Sequence, residues 1–163
     1  MGDVVKRFVL LCAMLLVVVG CTNEEKITIP ENAPDFLQEN DFASIKGNDK
    51  AVEFGERAII GNANKSGVIG ANMQSLSTQK WMWHLWGIEG NGNTELPVVG
   101  YQKDTKTIQP IIVDGWSIGL GGPANGADAH SPSSVKIPSP GEWAILLYTN
   151  GKYLDALIDD IPK

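Results

Sequence analysis

The chain has 163 residues and is acidic, because 19 aspartates and glutamates outnumber 13 lysines and arginines and leave a formal net charge of −6. This balance argues against a nucleic-acid-binding protein and against a basic patch that would hold anionic lipid. The length suits a single domain.

The N-terminal residues 1–20 have the pattern of a bacterial signal peptide. Lys6 and Arg7 precede an apolar run from Phe8 to Val19, which is shorter than the roughly 20 apolar residues that a membrane-spanning helix needs. The run ends in VVGC at 18–21, which resembles the lipobox of bacterial lipoproteins. In that motif the cysteine thiol accepts a diacylglyceryl group, and cleavage makes the cysteine the new N-terminus. We therefore predict lipidation at Cys21; the alternative is an uncleaved anchor with an incidental cysteine.

Lipidation would fix the location and the thiol chemistry of the protein. Each buried methylene of an acyl chain contributes about 0.8 kcal/mol, so a diacyl anchor should hold the chain on the outer face of the bacterial cytoplasmic membrane. Cys12 would leave with the signal peptide and Cys21 would be acylated, so the mature domain would have neither a disulfide nor a thiolate metal site. Removal of residues 1–20, which carry a net charge of +1, would take the formal charge from −6 to −7.

Two regions are predicted after the signal peptide. Residues 21–34 comprise the lipidated cysteine and a flexible tether, because the segment TNEEKITIPENAP at 22–34 is polar and interrupted by proline. A short edge strand at Ile27 and Ile29 is the alternative. Residues 35–163 form one all-β domain, in which short apolar runs alternate with glycine-rich turns as in an antiparallel β-sandwich. The candidate early strands are Asp41–Ile45, Ala58–Gly61 and Val68–Ala71.

The C-terminal segment predicts a β-hairpin. The sequence EWAILLYT at 142–149 is apolar on both faces, as in a central strand covered on both sides. Asn150-Gly151 is a strong two-residue turn signal, because both positions of that turn need positive φ. The return strand is Lys152–Ile161. Its acidic residues are predicted on the exposed side, where they would discourage edge-to-edge pairing: Asp155, Asp159 and Asp160.

The segment KWMWHLWG at 80–87 predicts a strand with two different faces. Trp81, Trp83 and Leu85 should point into the core, where each buried aromatic removes roughly 150–250 Å² from water. The other face, with His84 and Trp86, is mixed and expected to be half exposed, and an exposed tryptophan there could stack on a sugar or a partner side chain. In the alternative, Trp86 packs under a loop and His84 binds a carbonyl.

A second candidate region is the predicted loop 119–134, which is long for a compact domain and rich in polar residues. The string GLGGPANG lacks the lysine and the following helix of a phosphate-binding loop. Asp128, His130 and Ser131 are too close in sequence to converge as a catalytic triad. A metal site formed by His84, Asp128 and His130 stays open as an alternative. A structural loop that caps the sandwich is the other interpretation.

Four segments together resemble a family of Gram-positive extracytoplasmic lipoproteins that is catalogued only as a domain of unknown function. They are KSGVIGAN at 65–72, KWMWHLWG at 80–87, NGADAHSPSSVKIPSPGEWAI at 125–145 and NGKYLDALIDDI at 150–161. The resemblance covers roughly residues 55–161 and implies an immunoglobulin-like fold and a cell-surface location. It implies no activity. The acidic end of the hairpin departs from the valine-rich strand that the family pattern leads us to expect.

The sequence therefore predicts a lipid-anchored immunoglobulin-like β-sandwich that acts as a non-enzymatic binding or envelope-interaction module. Its partner would be an envelope protein or a glycan, and no nucleic acid is expected. The only cofactor expected is the covalent diacylglycerol at Cys21. The candidate binding surface consists of His84, Trp86, Asn125, Asp128, His130 and Ser131. The alternative is a metal-binding or metal-dependent protein that uses His84, Asp128 and His130.

Overall fold

The computed structural model describes residues 27–43, 45, 50–70 and 74–163, so the predicted signal peptide and Cys21 lie outside the described residues. The described chain contains one short helix, α1 (Glu39–Ala43), and ten strands. The strands are β1 (Val52–Phe54), β2 (Ile59–Asn62), β3 (Ser66–Gly70), β4 (Thr78–Leu85), β5 (Glu95–Gln102), β6 (Thr107–Pro110), β7 (Ser117–Gly119), β8 (Ala129–Lys136), β9 (Gly141–Thr149) and β10 (Lys152–Ile161). Among the described residues, no helix is long and apolar enough to cross a membrane.

The strands form two antiparallel sheets that pack as a sandwich. The first sheet has the order β1-β2-β3-β4-β8, and the second has the order β10-β9-β5-β6, with β7 pairing with β5. In immunoglobulin terms, β3, β4 and β8 occupy the positions of strands A, B and E, while β5, β9 and β10 occupy those of C, F and G. The predicted immunoglobulin-like antiparallel β-sandwich is confirmed, as are the predicted strands near Ala58–Gly61 and Val68–Ala71.

The main core lies between the two sheets. Trp81, Trp83 and Leu85 point into it from the first sheet, as the alternation along β4 predicts. The Trp83 indole donates a hydrogen bond of 2.7 Å to Ser133 Oγ, which satisfies its N–H away from water. Alternate residues of β9 enter the same core from the second sheet: Trp143, Ile145 and Leu147.

A second apolar cluster covers the outer face of the second sheet. Ala144, Leu146 and Tyr148 of β9 face this cluster, so β9 is buried on both sides as predicted. The segment that precedes β1 packs over it: Ile27, Ile29, Ala33, Phe36, Leu37, Phe42 and Ile45. Ile27 and Ile29 belong to no strand in the described chain, so the alternative of a short edge strand at these residues is wrong.

The predicted strand Asp41–Ile45 is wrong, because α1 occupies Glu39–Ala43. The Gln38 amide donates to Asp41 Oδ2 at 3.1 Å, which caps the first turn of the helix. Burial raises the pKa of Tyr148, so its neutral hydroxyl donates to Asp41 at 3.0 Å. Phe42 then packs on Tyr101 with ring centroids 5.1 Å apart. These tertiary contacts stabilise a helix where the local apolar pattern predicted a strand.

The predicted C-terminal hairpin is confirmed. Strands β9 and β10 pair around a turn in which Asn150 and Gly151 have φ of 49° and 69°. The prediction that Asp155 is exposed is wrong, because its side chain is buried. Asp159 is partly buried, and Asp160 is exposed as predicted. A register shift between Tyr153 and Asp155 changes the alternation along β10 and turns Asp155 inward.

The buried Asp155 carboxylate connects the two sheets. It accepts hydrogen bonds from Ser66 Oγ at 2.6 Å and from Asn62 Nδ2 at 3.0 Å, and Lys65 Nζ lies 3.0 Å from its other oxygen. These three partners belong to the β2–β3 hairpin of the first sheet, while Asp155 belongs to the edge strand of the second. The carboxylate therefore closes one side of the sandwich.

Candidate functional site

The candidate site is built where β4 leaves the first sheet. The chain turns sharply after Trp86, because Gly87 adopts φ of 73°. Asp128 holds this turn from two sides: its amide donates to Leu85 O at 3.0 Å, and its Oδ2 accepts the Gly87 amide at 2.7 Å. Asp128 is thus a positioning residue for the end of β4, and one of its carboxylate oxygens is engaged.

The predicted loop 119–134 is shorter than expected. Residues 129–136 form β8, which pairs with the whole of β4, and the preceding chain is a tight turn between Ala124 and Ala127. Asn125 and Gly126 occupy the two central positions with φ of 51° and 84°, as the primed turns of two-residue hairpins require. This rigid turn brings Asn125 over the outer face of β4.

His84 is fully buried beneath this turn, so the structure matches the alternative in which Trp86 packs under a loop and His84 bonds a carbonyl rather than the half-exposed face. Its Nδ1 lies 3.1 Å from Met82 O, which only accepts, so Nδ1 carries the proton and donates. Its Nε2 lies 2.9 Å from Asn125 Nδ2 and accepts that bond. Burial lowers the pKa of His84, and the neighbouring His130 and Arg57 lower it further. The imidazole is therefore neutral and both of its nitrogens are used.

Trp86 is half-buried and held in one orientation. Its indole N–H donates to Gly126 O at 2.8 Å. Its ring stacks near His84, with centroids 6.4 Å apart and planes inclined by 30°. The Phe54 ring lies at 5.7 Å, tilted by 56°. Because the indole N–H is already bonded, Trp86 offers a neighbouring molecule mainly the face of its ring.

The remaining predicted residues do not form a second reactive centre. The ring of His130, which pairs with His84 across the strands, has Nδ1 2.6 Å from Gly122 O. Ser131 is buried and alternates with His130, so it faces the core rather than the candidate surface. Within the described ranges, no group of three His, Cys, Asp or Glu side chains could hold a metal ion. The structure thus brings His84, Trp86 and Asn125 together and leaves Ser131 apart.

Glycine at position 67 allows side chains to lie flat on the first sheet. A methyl group at this position would lie 2.5 Å from Ile59 Cγ2 and 3.3 Å from Phe54 Cζ. Ile59 and Phe54 therefore lie directly over the backbone of β3, which is paired with β4 at His84. This close approach places the Phe54 ring beside Trp86.

A cleft of about 460 Å³ opens beside these rings. We call it the Trp86 cleft, and it is lined by Phe54, Gly55, Glu56, Arg57, Ile59, Asn64, Trp86, Asn125 and Gly126. Arg57 is exposed and, within the described residues, forms no ion pair. The cleft therefore combines aromatic faces, side-chain amides and a guanidinium group that is open to a ligand.

A known family, described as domain of unknown function (DUF4871), matches residues 34–158. The chain belongs to the DUF4871 family. This confirms the resemblance to a domain of unknown function that the four sequence segments indicated.

A crystal structure of a protein from Bacillus anthracis, described as a candidate lipoprotein, resembles this DUF4871 chain with a TM-score of 0.63. The match covers 80% of this chain and 96% of that chain at 18% sequence identity, a level at which the likeness shows a shared fold. No curated protein matches the chain.

Of the residues that line the Trp86 cleft, the sequence predicted only Trp86 and Asn125 as part of a binding surface. The side chains that it did not predict include Phe54, Arg57 and Asn64. They lie on β1 and on two turns, and only the pairing of β1, β2 and β3 brings them to the end of β4. One signal was available, since Arg57 is the only arginine that follows Arg7 in the sequence. Arginine is suited to binding a carboxylate through two hydrogen bonds, but its rarity does not by itself assign Arg57 to the site.

Proposed function

We propose that this DUF4871 protein is a lipid-anchored, non-enzymatic binding module on the outer face of the bacterial cytoplasmic membrane, and that it contacts an envelope partner through the Trp86 cleft. The lipobox-like VVGC at 18–21 supports the anchor. The fold shared with a candidate lipoprotein from Bacillus anthracis is consistent with it.

The observation on which the binding role depends is the fixed, half-exposed Trp86 ring beside an unpaired guanidinium. Trp86 is bonded to Gly126 and packed against Phe54, so little side-chain entropy would be lost on binding. Arg57 contributes a charge that the described residues leave available. Tryptophan and arginine are the side chains most often responsible for binding energy at interfaces.

Binding rather than catalysis is favoured by how the polar groups near the cleft are used. Both nitrogens of His84 are hydrogen-bonded, and Asp128, which binds the backbone on either side of Trp86, does not line the Trp86 cleft. A general base would need a free lone pair directed at a substrate. These side chains instead fix the shape of the surface.

The proposal is tested with the mature chain, residues 21–163 with Cys21→Ser, in a sedimentation assay on cell walls isolated from a Gram-positive bacterium. Trp86→Ala should weaken binding by at least about tenfold, as for a central tryptophan of an interface. Tyr153→Ala is the matched control, because it removes an aromatic ring that is 44% exposed on the second sheet. Equal binding by the two variants would contradict the proposal, provided that near-UV circular dichroism shows both to be folded.

A further inference from the structure

We propose that the Trp86 cleft recognises a sugar ring that carries a carboxylate. This inference rests on the proposed binding function and names the class of its ligand. The inference is argued from three features of the cleft, namely a ring face, two side-chain amides and a guanidinium group.

The ring face suits a sugar because the indole of Trp86 has no free donor. Its N–H is bonded to Gly126 O, and the His84 ring lies behind it. Phe54, tilted by 56°, forms a second wall of the cleft. The C–H face of a pyranose ring packs on such an aromatic surface, while its edge stays available for polar contacts.

The amides lie where they could meet that polar edge. Asn125 uses Nδ2 to donate to His84, so its carbonyl oxygen remains as an acceptor for a hydroxyl or an N-acyl amide. Asn64 is exposed in the β2–β3 turn with φ of 60° and lines the same cleft. Each amide can accept from one sugar hydroxyl, and Asn64 can also donate to another.

The charge argues for an acidic rather than a neutral sugar. Lys50 pairs with Asp160 and Lys103 pairs with Glu142. Arg57 forms no ion pair in the described part of the chain, as is also true of Lys136 and Lys152, but of these three cations only Arg57 lines the Trp86 cleft. A guanidinium group binds a carboxylate through two parallel hydrogen bonds. Glu56 also lines the cleft and would oppose an anion, so its charge limits the affinity.

The size of the cleft limits the ligand. Small-molecule sites usually enclose about 300–1,000 Å³, and the Trp86 cleft, at about 460 Å³, lies in the lower part of that range. It has room for one substituted ring, and the rest of a polymer would extend into solvent. We therefore expect weak binding to a single sugar unit.

The test uses two pairs of sugars, and each pair differs mainly in a carboxylate. The first pair is N-acetylmuramic acid and N-acetylglucosamine; the second is glucuronic acid and glucose. The mature Cys21→Ser chain is titrated with each sugar, with the Trp86 indole signal followed by NMR. We expect the acid of at least one pair to bind about tenfold more tightly than its neutral partner, as for a charge-assisted contact. The preferred pair identifies a peptidoglycan or a uronic-acid source.

Single substitutions separate the contribution of the Arg57 charge to binding from that of the Trp86 ring. Arg57→Gln should weaken binding of the acid by about tenfold and so abolish the preference for it over the neutral sugar. Lys152→Gln, which removes one exposed charge from the β9–β10 hairpin, should keep the preference. Glu56→Gln should tighten binding of the acid by roughly two- to fivefold, because it removes a like charge.

The outcomes distinguish the ligand class from the proposed function. Equal affinity within both pairs, a preference that survives Arg57→Gln, or no sugar binding would each overturn the acidic-sugar inference. If cell-wall sedimentation is still lost in Trp86→Ala in any of these cases, the binding function stands and only the ligand class is wrong. Sedimentation that is indifferent to Trp86→Ala would overturn the proposed function itself.

Discussion

At the scale of single residues, the polar groups near Trp86 fix one another. His84 donates to its own strand through Nδ1 and accepts from the Asn125 turn through Nε2. This arrangement needs a neutral imidazole with the proton on Nδ1, because a second proton on Nε2 would face the Asn125 donor. The burial of His84 therefore links the protonation of one side chain to the shape of the cleft.

The stability of the fold should decrease in mild acid because of His84. Its pKa in the folded protein lies below the ordinary value of 6.5, so the unfolded chain binds the proton more readily. The free energy of unfolding should therefore decrease as the pH drops below about 6.5. Above that pH the contribution of the neutral, buried His84 to stability should be complete. Urea denaturation at pH 7.5 and pH 5.0 measures this change. His84→Gln should show a smaller pH dependence than the wild type. His130→Gln should keep most of the dependence, because burial is the larger cause of the His84 shift and His130 a smaller one. An unchanged dependence in His84→Gln would contradict the assignment.

Asp155 should contribute strongly to stability, although the sequence suggested a solvent-exposed acid. Asp155→Ala would leave the buried Ser66 hydroxyl without its acceptor, while the Asn62 amide would keep only its bond to Ala156 O. An unsatisfied buried group costs about 1–3 kcal/mol, so we expect a loss of that size in chemical denaturation. The exposed Asp114→Ala is the control and should change stability by less than about 0.5 kcal/mol. Similar values for the two variants would show that the network is not structural.

At the scale of the elements, the turn at 124–127 connects the fold to the site. Gly126→Ala places a side chain at φ of 84°, a conformation that costs roughly 1–2 kcal/mol for an L-residue. We expect this loss of stability together with a shift of the Trp86 indole NMR signal, because the Gly126 carbonyl is its acceptor. Gly122→Ala is the matched control, since a methyl group at this position would lie 3.8 Å from Gly90 O, an ordinary contact distance. An unshifted indole signal in Gly126→Ala would contradict the contact.

Local signals predicted the elements whose pattern is determined within the strand or turn. The alternation along β4 and the Asn150-Gly151 turn needed no distant contact to be recognised, and both predictions are confirmed. The helix α1 could not be predicted in this way, because Phe42 and Asp41 are held by partners on the second sheet. The predicted loop 119–134 was too long because the small residues of β8 pair with the large residues of β4, a match that appears only when the strands meet.

Only part of the candidate site could be predicted from the sequence, again because some of its residues are brought together by tertiary pairing. His84, Trp86 and Asn125 come together as the strand and loop motifs suggested, although His84 is buried rather than exposed. Phe54 and Arg57 could not be assigned to the site from the sequence, because the β1–β2–β3 pairing that brings them there is a tertiary feature. Asp128 was singled out by type, but its role as a backbone clamp depends on the turn at Gly87.

At the scale of the whole molecule, the two outer faces of the sandwich differ. The outer face of the second sheet is covered by the segment 27–45, whereas the outer face of the first sheet bears the Trp86 cleft. The covering segment and the Trp86 cleft thus lie on opposite outer faces of the sandwich.

The anchor is tested in the living cell by labelling with a palmitate analogue. The intact chain and Cys12→Ser should incorporate the label, because Cys12 lies within the proposed signal peptide. Cys21→Ser should not incorporate it, since no other thiol remains after residue 20. Label on Cys21→Ser, or none on the intact chain, would contradict the proposed lipidation.

The most direct test of the binding role is NMR mapping of the contact surface. The isotope-labelled mature Cys21→Ser chain is titrated with soluble fragments released from a Gram-positive cell wall by a muramidase. The account predicts that the largest shift changes fall on the residues that line the Trp86 cleft, led by the Trp86 indole and Arg57. Changes confined to the second sheet, or no changes at fragment concentrations in the millimolar range, would contradict it.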